Sequence, residues 1–189
     1  MEEFLLFFLS VFVLFILIAK LFKNKEIISL KSEIDGRTYI VRKLPNAQLA
    51  ADKLASLNQK LVRLINSLDE NEKDGIDDLK NNYNPDKISE TGLDAKYTSY
   101  SVNKGEKISI CVRQKETNEF IEDNTIIFVF IHELAHVMTD EIGHTDLFWE
   151  NMAFLLKKAY EMGIYNPINY KVNPERYCGM EINSTPYEF

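Results

Sequence analysis

Three histidines are the whole histidine content of this 189-residue chain, and all three fall within thirteen residues. The stretch reads His132-Glu133-Leu134-Ala135-His136, followed eight residues later by His144. Histidines at i and i+4 lie one above the other only on a helix, so the spacing predicts a helix over 125–139. The preceding residues, IIFVFI at 126–131, favour a strand by intrinsic propensity. The motif overrules that preference and makes the segment a central helix, apolar and buried on most sides. Asp140-Glu141-Ile142-Gly143 is long enough to leave the helix and turn the chain back, and Gly143 supplies the backbone freedom. His132, His136 and His144 can then surround one ion, with a position left open for water. Asp140, Asp146 and Glu150 are reserve candidates for the third ligand, and Cys178 a remote one. Glu133 lies one residue around from the first histidine. It is placed to hold and deprotonate a water beside the metal without ligating it.

The opening of the chain carries a second signal. Phe4–Ala19 reads FLLFFLSVFVLFILIA, broken only by Ser10, and Leu21 and Phe22 extend it past Lys20. A helix needs about 20 apolar residues to cross a bilayer core, a length reached if Lys20 snorkels. Glu2 and Glu3 precede the run, and Lys20, Lys23 and Lys25 follow it, a charge order unlike that of a cleaved signal peptide. The expectation is a transmembrane anchor over residues 1–24. The N-terminus would lie outside and the catalytic domain on the cytoplasmic side, or inside a virion membrane if the source is viral. Membrane lipid is then a partner, and Cys111 and Cys178 are expected to stay reduced. Residues 20–63 hold ten Lys/Arg against four acids, and residues 69–95 nine acids against three lysines. The basic stretch suits an anionic leaflet or is an ordinary solvated surface.

Past the anchor, Ile27–Ile34 and Tyr39–Leu44 flank Asp35-Gly36, giving a juxtamembrane hairpin over 25–44. Apolar residues at helical spacing from Ala50 to Leu68 predict a helix starting at Asn46. Residues 69–95 read as loop with one helical turn near Ile76–Asn82. Tyr97–Val102 and Lys107–Arg113 read as a strand pair, and Phe148–Ala159 as the face of a last helix closed by Gly163. The final 26 residues, with Pro167, Pro174 and Pro186, read as irregular chain. The formal net charge is −7, of which residues 1–22 carry −1, so the body carries −6. That balance argues against a nucleic-acid platform. Two cysteines with no CxxC pair make neither a disulfide framework nor a zinc knuckle.

HELAHVMTDEIGHTDLF, residues 132–148, resembles the zinc-site stretch of the SprT/WLM group of zincin-like metallopeptidases. In that group a third histidine follows the HExxH helix after a glycine, and an aromatic residue comes shortly after. Gly143, His144, Phe148 and Trp149 match, although the gap from His136 to His144 differs from the usual one. The likeness covers about 95–160. A fainter one extends to membrane-anchored proteins of large DNA viruses with a Tyr-Cys-Gly tail like Tyr177-Cys178-Gly179.

The resemblance implies an α+β zincin-like domain over 45–189, with a central HExxH helix, a small antiparallel sheet and flanking helices. It implies one Zn2+ per chain and a protein or peptide substrate held by an edge strand. Tyr165, Tyr170 or Tyr177 could assist the oxyanion, and Met180 could form a methionine turn. The leading expectation is a membrane-anchored zinc metallopeptidase with Glu133 as general base. The alternatives are a non-catalytic, zinc-stabilised membrane scaffold and a SprT-like protease acting on DNA-bound proteins.

Overall fold

A computed structural model describes residues 4, 8, 9, 11–16 and 26–189. Helix α1 (Ala47–Ser67) buries Ala50, Leu54, Leu57, Leu61, Leu64 and Ile65, the three- and four-residue spacing of one helical face. Each buried leucine contributes about 1.5–3 kcal/mol of apolar transfer. Against that face lies a five-stranded sheet of order β1-β2-β3-β5-β4. Strands β1 (Ile27–Lys31) and β2 (Thr38–Arg42) form an antiparallel hairpin. Its turn is wider than Asp35-Gly36 alone suggests. The Ser32 amide donates to the Arg37 carbonyl at 2.8 Å, and Asp35 Oδ1 accepts the Arg37 amide at 3.0 Å.

The sheet is mixed where an antiparallel one was expected. Strand β3 (Ile88–Glu90) pairs parallel with both β2 and β5 (Lys107–Ile110). Helix α1 and short helix α2 (Ile76–Asn82) both lie in the crossover from β2 to β3. Burial on both faces sets these central strands. Ile108 and Ile110 pack into the core, while Ser109 Oγ bonds Ser89 Oγ across the sheet at 2.8 Å. Among the described residues, strand β4 (Tyr100–Val102) pairs only with β5 and forms an edge of the sheet.

Helix α3 (Asp123–Met138) crosses behind β4 and β5, and α4 (Asp146–Glu161) packs along it. Thr145 Oγ1 caps α4 by accepting the Phe148 amide. The tail is more ordered than its prolines suggest, because β6 (Glu175–Tyr177) and β7 (Met180–Ile182) form a second hairpin. Cys178 bonds Cys111 in a disulfide across 67 residues. The expectation of two reduced cysteines is thereby corrected, and Cys178 is removed as a metal ligand.

The expected single-pass membrane topology is also corrected. Among the described residues no helix is long and apolar enough to cross a membrane. A span needs about 20 helical residues, and the longest helical run described there is 11–16. The remainder of the expected anchor, residues 1–3, 5–7, 10 and 17–24, lies outside the described residues. No localisation follows from residues 1–24.

Candidate active site

The site grows from the second half of α3. His132 and His136 project from successive turns with ring centroids 4.9 Å apart. Thr139 ends the helix, and its Oγ1 donates to the Ala135 carbonyl at 2.7 Å. Asn151 of α4 donates to the same Oγ1 at 2.9 Å, which ties the two helices together at the site. The chain then turns through Gly143, whose φ of 95° is strained for any residue with a Cβ. That turn returns His144 to the helix.

His144 Nε2 comes to 3.1 Å from His132 Nε2, and one nitrogen of each of the three rings lies within 4.8 Å of the others. Two nitrogens held at about 2.0–2.1 Å by one tetrahedral ion stand about 3.3 Å apart, so the spacing fits a single metal. Asp140, Asp146 and Glu150 are not part of this cluster. The buried ring of Phe148 lies beneath it, with centroids 4.4–4.9 Å from all three imidazoles. Trp149 flanks His132 and His144.

Burial sets the protonation of these groups. Desolvation first, then the neighbouring histidines, pushes His132 down to about 3. Burial first, then His144 and Lys104, pushes His136 down to about 4. Both rings are therefore neutral near pH 7, the form that ligates metal. Glu133 is 4% exposed and makes no ion pair among the described residues. Burial raises its carboxyl to about 8, opposed by the Ser101 amide of β4.

Two cavities meet at His132 and Glu133. One, of about 680 Å³, runs between edge strand β4 and the loop bearing Gly143 and His144. The other, of about 260 Å³, runs toward the tail hairpin. Beyond β4 the chain turns tightly through Asn103 and Lys104, both at positive φ, and Lys104 Nζ bonds the Thr139 carbonyl. That contact holds the end of β4 against the end of α3.

Of the three tail tyrosines, only Tyr177 reaches this region. Its hydroxyl bonds Ser99 Oγ at 2.5 Å and accepts the Cys111 amide at 3.1 Å. Tyr165 and Tyr170 pack their rings on Phe128 instead. Met180 lies half exposed on the wall of the smaller cavity, away from the floor that Phe148 forms under the histidines. The Cys178 link and the Tyr177 anchor were missed from sequence. A tyrosine next to one of two lone cysteines was the only signal.

Comparison with known proteins agrees with this geometry. Residues 80–186 match the model of the WLM domain. Protein R325 of Acanthamoeba polyphaga mimivirus is 35% identical over 159 residues, covering 81% of this chain and 81% of that protein. Protein 136R of Invertebrate iridescent virus 6 is 34% identical over 106 residues, covering 55% of this chain and 57% of that one. The crystal structure of Wss1 from Saccharomyces cerevisiae shares the fold, with a TM-score of 0.51 at 19% identity over 65% of this chain and 87% of that one. With the domain model matched over more than half of the chain and the mimivirus protein alike over four-fifths of it, the chain belongs to the WLM domain family.

Proposed function

We propose that this chain is a zinc-dependent metallopeptidase that hydrolyses peptide bonds in protein substrates. His132, His136 and His144 hold one zinc ion per chain, and Glu133 is the general base. Membership of the WLM family supports the coarser part, a metallopeptidase-type protease acting on proteins.

The observation that carries the finer part is Glu133, a buried carboxyl with no cationic partner among the described residues, beside the neutral imidazoles of His132 and His136. Nothing in the packing of α3 requires an acid there, and an isolated buried carboxylate is costly. A dication held by the histidines supplies the missing positive charge and keeps Glu133 ionised near neutrality.

Zinc, when bound, supplies Lewis acidity, which lowers the pKa of a water and stabilises the oxyanion. Glu133 takes the proton of the attacking water and returns it to the leaving amine. Edge strand β4 offers its backbone groups to an extended peptide lying in the larger cleft. Tyr177 is committed to Ser99 and Cys111, so it positions the start of β4 instead of touching the reacting carbonyl. The net charge of −7 supports a protein substrate without a nucleic-acid platform.

The test separates metal from base. Glu133→Gln keeps the side chain's shape but cannot accept a proton. It is expected to retain zinc and to lose peptide cleavage by about 10²–10⁴-fold or more. His144→Ala is expected to lose zinc, measured in parallel by metal analysis. Parent-level cleavage by zinc-loaded Glu133→Gln removes the carboxylate from the mechanism. A zinc-loaded parent that cleaves nothing across a broad peptide library favours a non-catalytic role.

A further inference from the structure

The smaller cavity is not used by the chemistry described so far. It opens from His132 and Glu133 and runs away from β4 between three elements. Phe128 and Val129 line it from α3, Trp149 and Met152 from α4, and Met180 and Ile182 from the tail hairpin. These six side chains are apolar, Thr98, Ser99, Glu181, Asn183 and Ser184 add polar groups to the lining, and the inner end is formed by His132 and Glu133. At about 260 Å³ it falls just below the roughly 300–1,000 Å³ of pockets that take a whole small molecule. It is large enough for one big side chain.

We propose that this cavity is a substrate subsite that takes a large apolar side chain, phenylalanine, leucine or methionine, from one of the two residues flanking the scissile bond. The proposal rests on the peptidase reading and names its substrate preference. A peptide extended along β4 passes over Glu133 and His132, which both cavities share, so a side chain next to the reacting bond is the group within reach. Burying such a side chain among Phe128, Met152 and Ile182 releases water from apolar surface, whereas an acidic side chain meets the Glu181 and Glu133 carboxyls and no lysine or arginine among the lining residues. The hairpin wall is fixed to the sheet by Cys111–Cys178 and by Tyr177, so the subsite is preformed.

Two readouts test it. In the first, zinc-loaded full chain digests an unfolded protein, and the cleavage sites are mapped by mass spectrometry. One flanking position is expected to favour Phe, Leu and Met over Gly and Asp by at least about tenfold, the scale of apolar-pocket discrimination. Val129→Phe, which fills the cavity from α3, is expected to erase that preference. Met180→Asp, at a half-exposed wall position, is expected to do the same without disturbing the core. Cleavage with no preference at either position overturns the subsite and leaves the peptidase reading intact.

The second readout needs no activity. Trp149 is the sole tryptophan and lines the cavity. Metal-free chain titrated with acetyl-phenylalanine amide is expected to show a saturable fluorescence change. Acetyl-glycine amide and the Val129→Phe chain are expected to show none. Equal responses to both amides overturn the subsite, whatever the outcome for catalysis.

Discussion

Phe148 shows how one apolar residue organises a polar site. Its ring contacts all three imidazoles from below, so the histidines are oriented by packing before any metal arrives. The same burial makes protonation unfavourable, with His132 pushed down to about 3 and His136 to about 4. In the unfolded chain histidine titrates near about 6.5. Below that pH the unfolded state takes up protons that the folded state refuses until about 4. The two histidines therefore contribute stability at neutral pH that is lost as the pH falls from about 6.5 toward 3. Buried Glu133, raised to about 8, opposes them over the same range, so chelated, metal-free chain is expected to show a Tm drop between pH 7 and 4.5 smaller than the two histidines alone would give. A His132→Phe chain is expected to show a shallower drop. Parallel melting curves for the two would mean that His132 is not held neutral by the fold.

Elements with strong periodicity or a motif were legible, and elements defined by partners were not. The helix read over 125–139 from the histidine spacing forms over Asp123–Met138. Its β-branched run IIFVFI is helical because all but one of these residues, Val129, find full burial there. The helix starting from Asn46 forms over Ala47–Ser67, since its leucines repeat on one face. Strand β3 escaped detection because three residues, Ile88–Glu90, are too short for any period, and the two strands beside it define it. At the site, spacing brought three histidines to one point, but neither the position of Phe148 beneath them nor the anchoring of Tyr177 has a sequence period.

Gly75, ahead of α2, is a further element-scale feature that composition hides. Its φ is 86°, and an added Cβ would meet the Met138 carbonyl oxygen at 2.1 Å. The end of α3 is thus packed directly on that turn. Gly75→Ala is expected to cost roughly 2–4 kcal/mol, combining left-handed strain with a backbone clash. Gly163→Ala, at φ 65° with nothing within 4 Å of the added Cβ, should cost only about 1–2 kcal/mol. Urea denaturation with unchanged m-values measures both, and equal losses would discount the contact with Met138.

On the scale of the whole molecule, the Cys111–Cys178 bond joins the end of the central sheet to the tail that closes the site. Between these cysteines lie α3, the three histidines and α4, so the loop it closes holds the whole histidine cluster. Closing a loop of 67 residues removes chain entropy from the unfolded state worth about 4 kcal/mol in the simplest model. Reduction leaves the Tyr177 hydrogen bonds, the bond from Gln114 Nε2 to the Arg176 carbonyl, and the burial of Tyr177 and Ile182 to hold the hairpin, each modest by comparison. Cys178→Ser is therefore expected to lower global stability by about 2–4 kcal/mol in denaturant titration. Hydrogen exchange should rise first in Glu175–Ile182, where few backbone bonds remain, and only later in α1 and the sheet. The three histidines lie on α3 and on the loop before α4, outside that hairpin, so metal content is expected to survive the substitution. Loss of zinc from a folded Cys178→Ser chain would show that the tail supports the histidine cluster itself, and would extend the role of the disulfide from closing the wall to building the site.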